Sequence, residues 1–210
     1  MVRTGKRAAT LATLLNQAGL VADGNVRPAP RIDDLGSDLG GDILDLYRRL
    51  GGRIDRPELR PGPWDLAMGG LLIELDEELH FNRYREMTLA RPWADALPWS
   101  LSYRDACATR EPDCLRAAQW GQRWTSSGSE GMFGQAAAPG DLAAPSGAPR
   151  WKQRALYDAM KDASVLEGDF KLARLSVYDE VSEELLGDVL RGRATLEIDD
   201  LMTLLTSRTV

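Results

Sequence analysis

The stretch Pro63-Trp64-Asp65-Leu66-Ala67-Met68-Gly69-Gly70-Leu71-Leu72-Ile73-Glu74-Leu75-Asp76 decides how the rest of the chain is read. Two apolar runs, Trp64 to Met68 and Leu71 to Leu75, flank a Gly-Gly pair. That pattern predicts a two-residue hairpin turn, whose central positions need positive φ. Paired positions in such a turn sum to a constant, so Met68 faces Leu71, Leu66 faces Ile73 and Asp65 faces Glu74. Side chains alternate along a strand, which puts Asp76 on the face of Glu74. The other face carries Trp64, Leu66, Met68, Leu71, Ile73 and Leu75 as one apolar surface.

Directly opposed residues on paired strands have Cβ atoms roughly 4.5–5.5 Å apart, and like charges there are destabilising. Asp65 against Glu74, with Asp76 beside them, calls for a positive partner. A hard divalent cation answers that need, because Mg²⁺ takes a few carboxylates and completes its shell with water or phosphate oxygens. The bland alternative is that the carboxylates at the hairpin's end point into water, with Asp76-Glu77-Glu78 a solvated acidic patch.

Outward from the hairpin, residues 5–19 have helical spacing, with Ala8, Leu11, Leu14 and Leu15 on one stripe. A Pro-containing loop (22–36) leads to a second helix over 38–50, ended by Gly51-Gly52. Residues 84–148 lack a clear period, and 134–149, rich in Ala, Gly and Pro, read as an exposed, poorly ordered loop. A helix over 150–163, a strand over 170–178 and two acidic helices (179–190 and 198–205) complete the chain.

The 210 residues, 43% of them hydrophobic, suffice for one sizeable core, so residues 1–210 are expected to form a single domain. No apolar run approaches the ~20 residues needed to span a bilayer. The first 20 residues read as an ordinary helix and not a signal peptide. Two cysteines, Cys107 and Cys114, argue against a secreted disulfide scaffold and for a reducing, cytoplasmic setting. Their spacing, even with His80, the only histidine, is not that of a zinc site. Of the net charge of −6, residues 179–210 hold eight acids against three arginines, or −5, which leaves −1 for the rest. A nearly neutral body leaves room for local basic patches to meet phosphate. Nothing in the sequence specifies an oligomeric state.

The run Trp64-Asp65, then Leu71-Leu72-Ile73-Glu74-Leu75-Asp76-Glu77-Glu78-Leu79-His80-Phe81, resembles the core of the PD-(D/E)xK nuclease superfamily, in the branch related to very-short-patch-repair endonucleases. Trp151-Lys152-Gln153-Arg154-Ala155-Leu156-Tyr157 is similar to the Gln-containing helix of that superfamily, and 166–175 to the strand that follows it. The chain departs from the pattern where Trp64 replaces Pro, Asp76 the Glu-x-Lys lysine, and Glu77 the Gly of "DG". The resemblance implies an α/β fold with a restriction-endonuclease-like core, a mixed central β-sheet flanked by helices. The core would span 38–83 and 149–178, with a long insertion (84–148) and C-terminal helices (179–210). It implies metal-dependent phosphodiester hydrolysis of nucleic acid, DNA in preference to RNA; no membrane partner is expected, since no apolar run is long enough to span a bilayer. Asp65, Glu74 and Asp76 would hold Mg²⁺ or Mn²⁺. Lys152 or His80 would polarise the attacking water, and Gln153 would stand beside them. The alternative it leaves open is a nuclease-fold protein without catalysis, used for binding or assembly.

Among the remaining candidates, Arg83 and Arg85 would contact phosphate or balance Glu77 and Glu78, and residues 120–129 (WGQRWTSSGS) mix aromatics and Arg123 in a way that suits base stacking. A structural histidine at 80, a packed helix around Gln153 and Tyr157, and core tryptophans are the plainer readings of the same residues.

Overall fold

The computed structural model describes residues 5–119 and 122–210. In chain order the elements are α1 (Lys6–Gln17), α2 (Ser37–Arg49), β1 (Leu66–Met68), β2 (Leu71–Asp76), α3 (Arg83–Leu89), α4 (Ser100–Ala117) and α5 (Ser127–Phe133). They continue with α6 (Pro149–Glu167), β3 (Lys171–Ser176), β4 (Glu180–Val181), β5 (Glu184–Leu185), α7 (Leu186–Val189) and α8 (Ile198–Ser207). The protein is thus mixed α/β, with helices and a small mixed sheet.

The chain gathers into two compact units. The first holds residues 1–28, 63–77 and 168–210, and the second holds 29–62 and 78–167. This division cuts across the expected segments of core, insertion and extension: the hairpin and β3 fall in one unit, α2 and α6 in the other.

In the first unit, β1 and β2 pair antiparallel with Leu66 opposite Ile73 and Met68 opposite Leu71, the register the Gly69-Gly70 turn predicts. Both glycines have positive φ, +61° and +79°, as the turn demands. Asp23 clamps the turn by accepting from Gly70 N at 3.1 Å. β3 lies parallel to β2, with Glu74 partnered by Arg174 and Asp76 by Ser176. The apolar face of the sheet, with Ile73, Leu75, Ala173 and Leu175, shares a core with Leu11 and Leu15 of α1 and Leu201 and Leu205 of α8.

The expected strand over 170–178 is β3, shorter at both ends. The expected helix over 179–190 is corrected: Asp179 leads into the β4–β5 hairpin, and only Leu186–Val189 is helical. Ser182 and Glu183 adopt positive φ, 52° and 65°, so the chain turns back where a helix would continue. The acidic, amphipathic pattern there is that of a short hairpin and one helical turn.

The second unit is built on α6, whose Trp151, Ala155, Leu156, Ala159, Met160 and Ala163 share a core with Ile43, Leu46 and Tyr47 of α2 and with Phe133 of α5. Tyr47 fixes the chain that leaves α2. Its hydroxyl accepts from Arg53 N and Ile54 N at 3.1 and 2.9 Å and donates to the Met132 carbonyl at 3.0 Å. A Cβ at Gly52 would run into the Tyr47 ring, so glycine is required there.

Among the described residues, the aperiodic stretch 84–148 holds most of α3, all of α4 and α5, and a 3₁₀ turn over Pro92–Ala96. α4 buries Ser100, Tyr103, Cys107 and Cys114, a helical stripe made of residues that hardly register as apolar, and Pro112 lies inside it. The stretch after α5 is, as expected, an irregular and largely exposed loop, and several hydrogen bonds fasten it. Ala137 N donates to the Gly147 carbonyl at 3.0 Å, Trp124 Nε1 donates to the Ala137 carbonyl at 3.0 Å, and Asp141 Oδ1 caps Ala143 and Ala144.

Candidate functional site

The carboxylates gather where the hairpin's backbone ladder runs out. One step beyond the Leu66–Ile73 pair, Asp65 stands opposite Glu74, and the side chains take over the hydrogen bonding. Asp65 N donates to Glu74 Oε1 at 3.3 Å, and Leu75 N donates to Asp65 Oδ2 at 2.9 Å. Each carboxylate therefore accepts an N–H from the opposing strand, which offsets part of the cost of placing two like charges together. This exchange also ends β1 at Leu66, short of the expected Trp64. Asp65 is exposed, whereas Glu74 is buried.

The positive partner the carboxylates call for is Arg174. It is the β3 register partner of Glu74, and its Nη1 donates to Asp76 Oδ2 at 2.6 Å. Both side chains of this pair are 0% exposed. Asp76, expected as a third metal ligand, is thus engaged by a buried guanidinium. Arg174 was missed by the sequence reading. The signal was an arginine alternating with Leu172, Ala173 and Leu175 in an otherwise apolar strand, where an unpaired charge is not tolerated. A second pair closes the same end of β3: Arg208 donates to Asp179 Oδ1 at 2.7 Å, and Ser176 N donates to Asp179 Oδ2 at 2.7 Å. Burial nevertheless pushes the Asp179 carboxyl above its ordinary value, with the charge of nearby Asp76 adding to the rise.

The other expected residues belong to the second unit and are engaged there. His80 closes a 3₁₀ turn (Glu78–His80), and its Nδ1 lies 2.8 Å from Asp158 Oδ2 of α6. One turn further along α6, Asp162 accepts from Arg85 Nη2 at 2.7 Å in a fully buried pair. Arg83 is bound by Glu111. Arg83 and Arg85, expected to contact phosphate or to balance Glu77 and Glu78, thus pair with Glu111 and Asp162. Lys152 donates to the Pro145 carbonyl at 3.1 Å, and its Nζ sits 5.4 Å from the Tyr84 ring centre. Burial lowers the Lys152 pKa, and the charge of Arg53 lowers it further. Gln153 accepts from Arg150 and directs its Nε2 at Met132 Sδ, 3.0 Å away.

The aromatic run 120–129 resolves in part. Trp124 is buried and packs edge-on to Trp151, with ring centres 5.2 Å apart, and Arg123 donates to the Ala117 carbonyl at 2.7 Å. Trp120 and Gly121 lie outside the described residues. Cys107 and Cys114 are buried thiols not joined by a disulfide, and burial pushes the Cys114 thiol up to about 12.

The donor chemistry of Asp65 and Glu74, oxygen from carboxylates, suits a hard divalent ion. The Arg174 guanidinium on Asp76 does not, because it supplies within the chain the charge a metal would bring.

Taken by its geometry, the first unit defines a carboxylate hairpin closed by a parallel strand that carries its own cation. A family model matches residues 45–192, more than half of the chain, and the protein belongs to that family, described as a family of unknown function (DUF7255). No curated protein and no solved structure matches the chain. Among the described residues, no helix is long and apolar enough to cross a membrane.

Proposed function

We propose that the protein is a non-catalytic binding or assembly module that keeps a nuclease-like carboxylate hairpin as a structural element. The observation that carries this reading is the buried Asp76–Arg174 pair at 2.6 Å. A catalytic carboxylate cluster holds a metal and keeps an open position for water and phosphate. Here a fixed guanidinium occupies that electrostatic role, and guanidinium is effectively never deprotonated. Lys152, the candidate to replace the absent Glu-x-Lys lysine, is spent on the Pro145 carbonyl. A reducing, cytoplasmic setting belongs to the same proposal, on the strength of two buried cysteines not joined by a disulfide.

A second reading is favoured by one observation: Asp65 and Glu74 do face each other, and Asp65 is exposed. In it the protein is a metal-dependent nuclease of the restriction-endonuclease-like class, acting on DNA in preference to RNA. Asp65 and Glu74 would hold Mg²⁺ or Mn²⁺, which when bound would activate water and neutralise charge on the phosphate.

Incubation with Mn²⁺ and single-stranded DNA, double-stranded DNA or RNA, beside a Glu74→Gln control, separates the two. The first reading expects no cleavage of any substrate. Cleavage by the wild type that is lost in Glu74→Gln overturns it in favour of the second.

A further inference from the structure

The connection out of α2 builds a pocket that the carboxylate hairpin does not involve. Leu44 and Arg48 lie four residues apart on α2 and therefore share a face. The extended chain that follows alternates: Pro57 and Leu59 are buried, while Arg56, Glu58 and Arg60 are exposed. Tyr47, through its bonds to Arg53 N and Ile54 N, sets the direction of that chain. The 3₁₀ turn Ile32–Asp34, preceded by Arg31, supplies the third wall. Together they frame an open pocket of about 680 Å³, lined by residues of all these segments. Small-molecule sites occupy roughly 300–1,000 Å³.

Its chemistry is divided. Ile32, Leu44, Pro57 and Leu59 supply apolar surface, and Arg31, Arg48, Arg56 and Arg60 supply guanidinium groups. Asp33, Asp55 and Glu58 also line it. Arg60 pairs with Glu58 at 2.7 Å. Among the described residues, the side chains of Arg31, Arg48 and Arg56 have no ion-pair partner, although Asp33 and Asp55 line the same pocket. Elsewhere in this unit Arg91 pairs with Asp42 and Asp45, Arg83 with Glu111 and Arg85 with Asp162. Here three unengaged guanidiniums surround one apolar floor.

We propose that this pocket binds a nucleoside phosphate. Guanidinium groups meet phosphate oxygens in bidentate fashion and stack on flat rings. The carboxylates of Asp33 and Asp55 would accept from sugar hydroxyls or a base amino group, and the apolar floor would take the face of the base. A nucleoside phosphate is the ligand class that uses all three features. The same chemistry is offered by a free nucleotide and by the end of a nucleic-acid strand. The proposal stands whether or not the hairpin carboxylates catalyse anything.

The test is calorimetric titration of the full chain with AMP and ADP, with adenosine, with inorganic phosphate and with a short single-stranded DNA oligonucleotide. AMP or ADP should bind at least about tenfold more tightly than adenosine or phosphate alone, a difference of about 1.4 kcal/mol. The double variant Arg48→Gln/Arg56→Gln should weaken that binding by about tenfold or more. Its far-ultraviolet circular dichroism and melting temperature should match the wild type, since both residues are exposed. Tighter binding of the oligonucleotide than of AMP, lost in the same variant, assigns the phosphate to a strand end. No binding of any phosphorylated probe, binding of phosphate as tight as of AMP, or binding that survives the double substitution overturns the proposal.

Discussion

At the scale of single residues, Asp76 and Arg174 form a fully buried ion pair. Removing one partner of a buried ion pair leaves an uncompensated charge and costs about 3–5 kcal/mol, whereas replacing both with apolar residues of similar size is often neutral. Asp76→Leu and Arg174→Met should therefore each destabilise strongly, and the double variant should recover most of the loss in urea unfolding. Costs that simply add would show that the two side chains are not coupled. Lys152 yields a pH signature. Its folded pKa lies below the ordinary value of 10.5, so the unfolded chain holds more protons in the window between the two. Stability then rises with pH across that window, and the rise is complete once pH passes the unfolded value. The stability difference between the wild type and Lys152→Met should shift in the wild type's favour as pH climbs toward 10.5; a pH-independent difference would contradict the assignment.

At the scale of elements, the hairpin was legible because its signals are local. Two glycines, a change of period and alternation on both sides specify turn, register and facing pair. The turn also makes a clear prediction. Gly70 has φ +79° with open space around it, so strain and not a clash decides what is allowed there. Gly70→Val should cost about 1–2 kcal/mol or more, while Gly69→Asn, which suits a turn of this kind, should be close to neutral by thermal unfolding. Equal losses at both positions would argue against this turn geometry. The elements that were not legible fail for identifiable reasons. The buried stripe of α4 consists of Ser100, Tyr103, Cys107 and Cys114, so the apolar period is absent although the helix is present. The β4–β5 hairpin turns on Ser182-Glu183, two residues that carry no glycine signal for positive φ.

At the scale of the whole molecule, the candidate site was readable only as far as its own hairpin. Asp65 and Glu74 meet as the register requires, but what neutralises Asp76 arrives from 98 residues away, on β3. Pairing across that separation depends on the parallel alignment of β2 with β3, which no local pattern encodes. Lys152, Gln153 and His80 likewise sit in helices and turns whose partners, Pro145, Met132 and Asp158, are set by tertiary packing. The division into two units follows from the same long-range pairing, since residues 63–77 and 168–210 join residues 1–28 and not their sequence neighbours.

The central claim, that Arg174 gives the carboxylate hairpin its counter-charge, is tested most directly by the melting temperature of the wild type with and without millimolar Mn²⁺. A ligand at 100 times its Kd stabilises by about 2.7 kcal/mol, or roughly 5–10 °C for a chain of this size. The internal cation predicts no such shift. A rise of several degrees that disappears in Glu74→Gln would show that the cluster is built for a metal and would contradict the account.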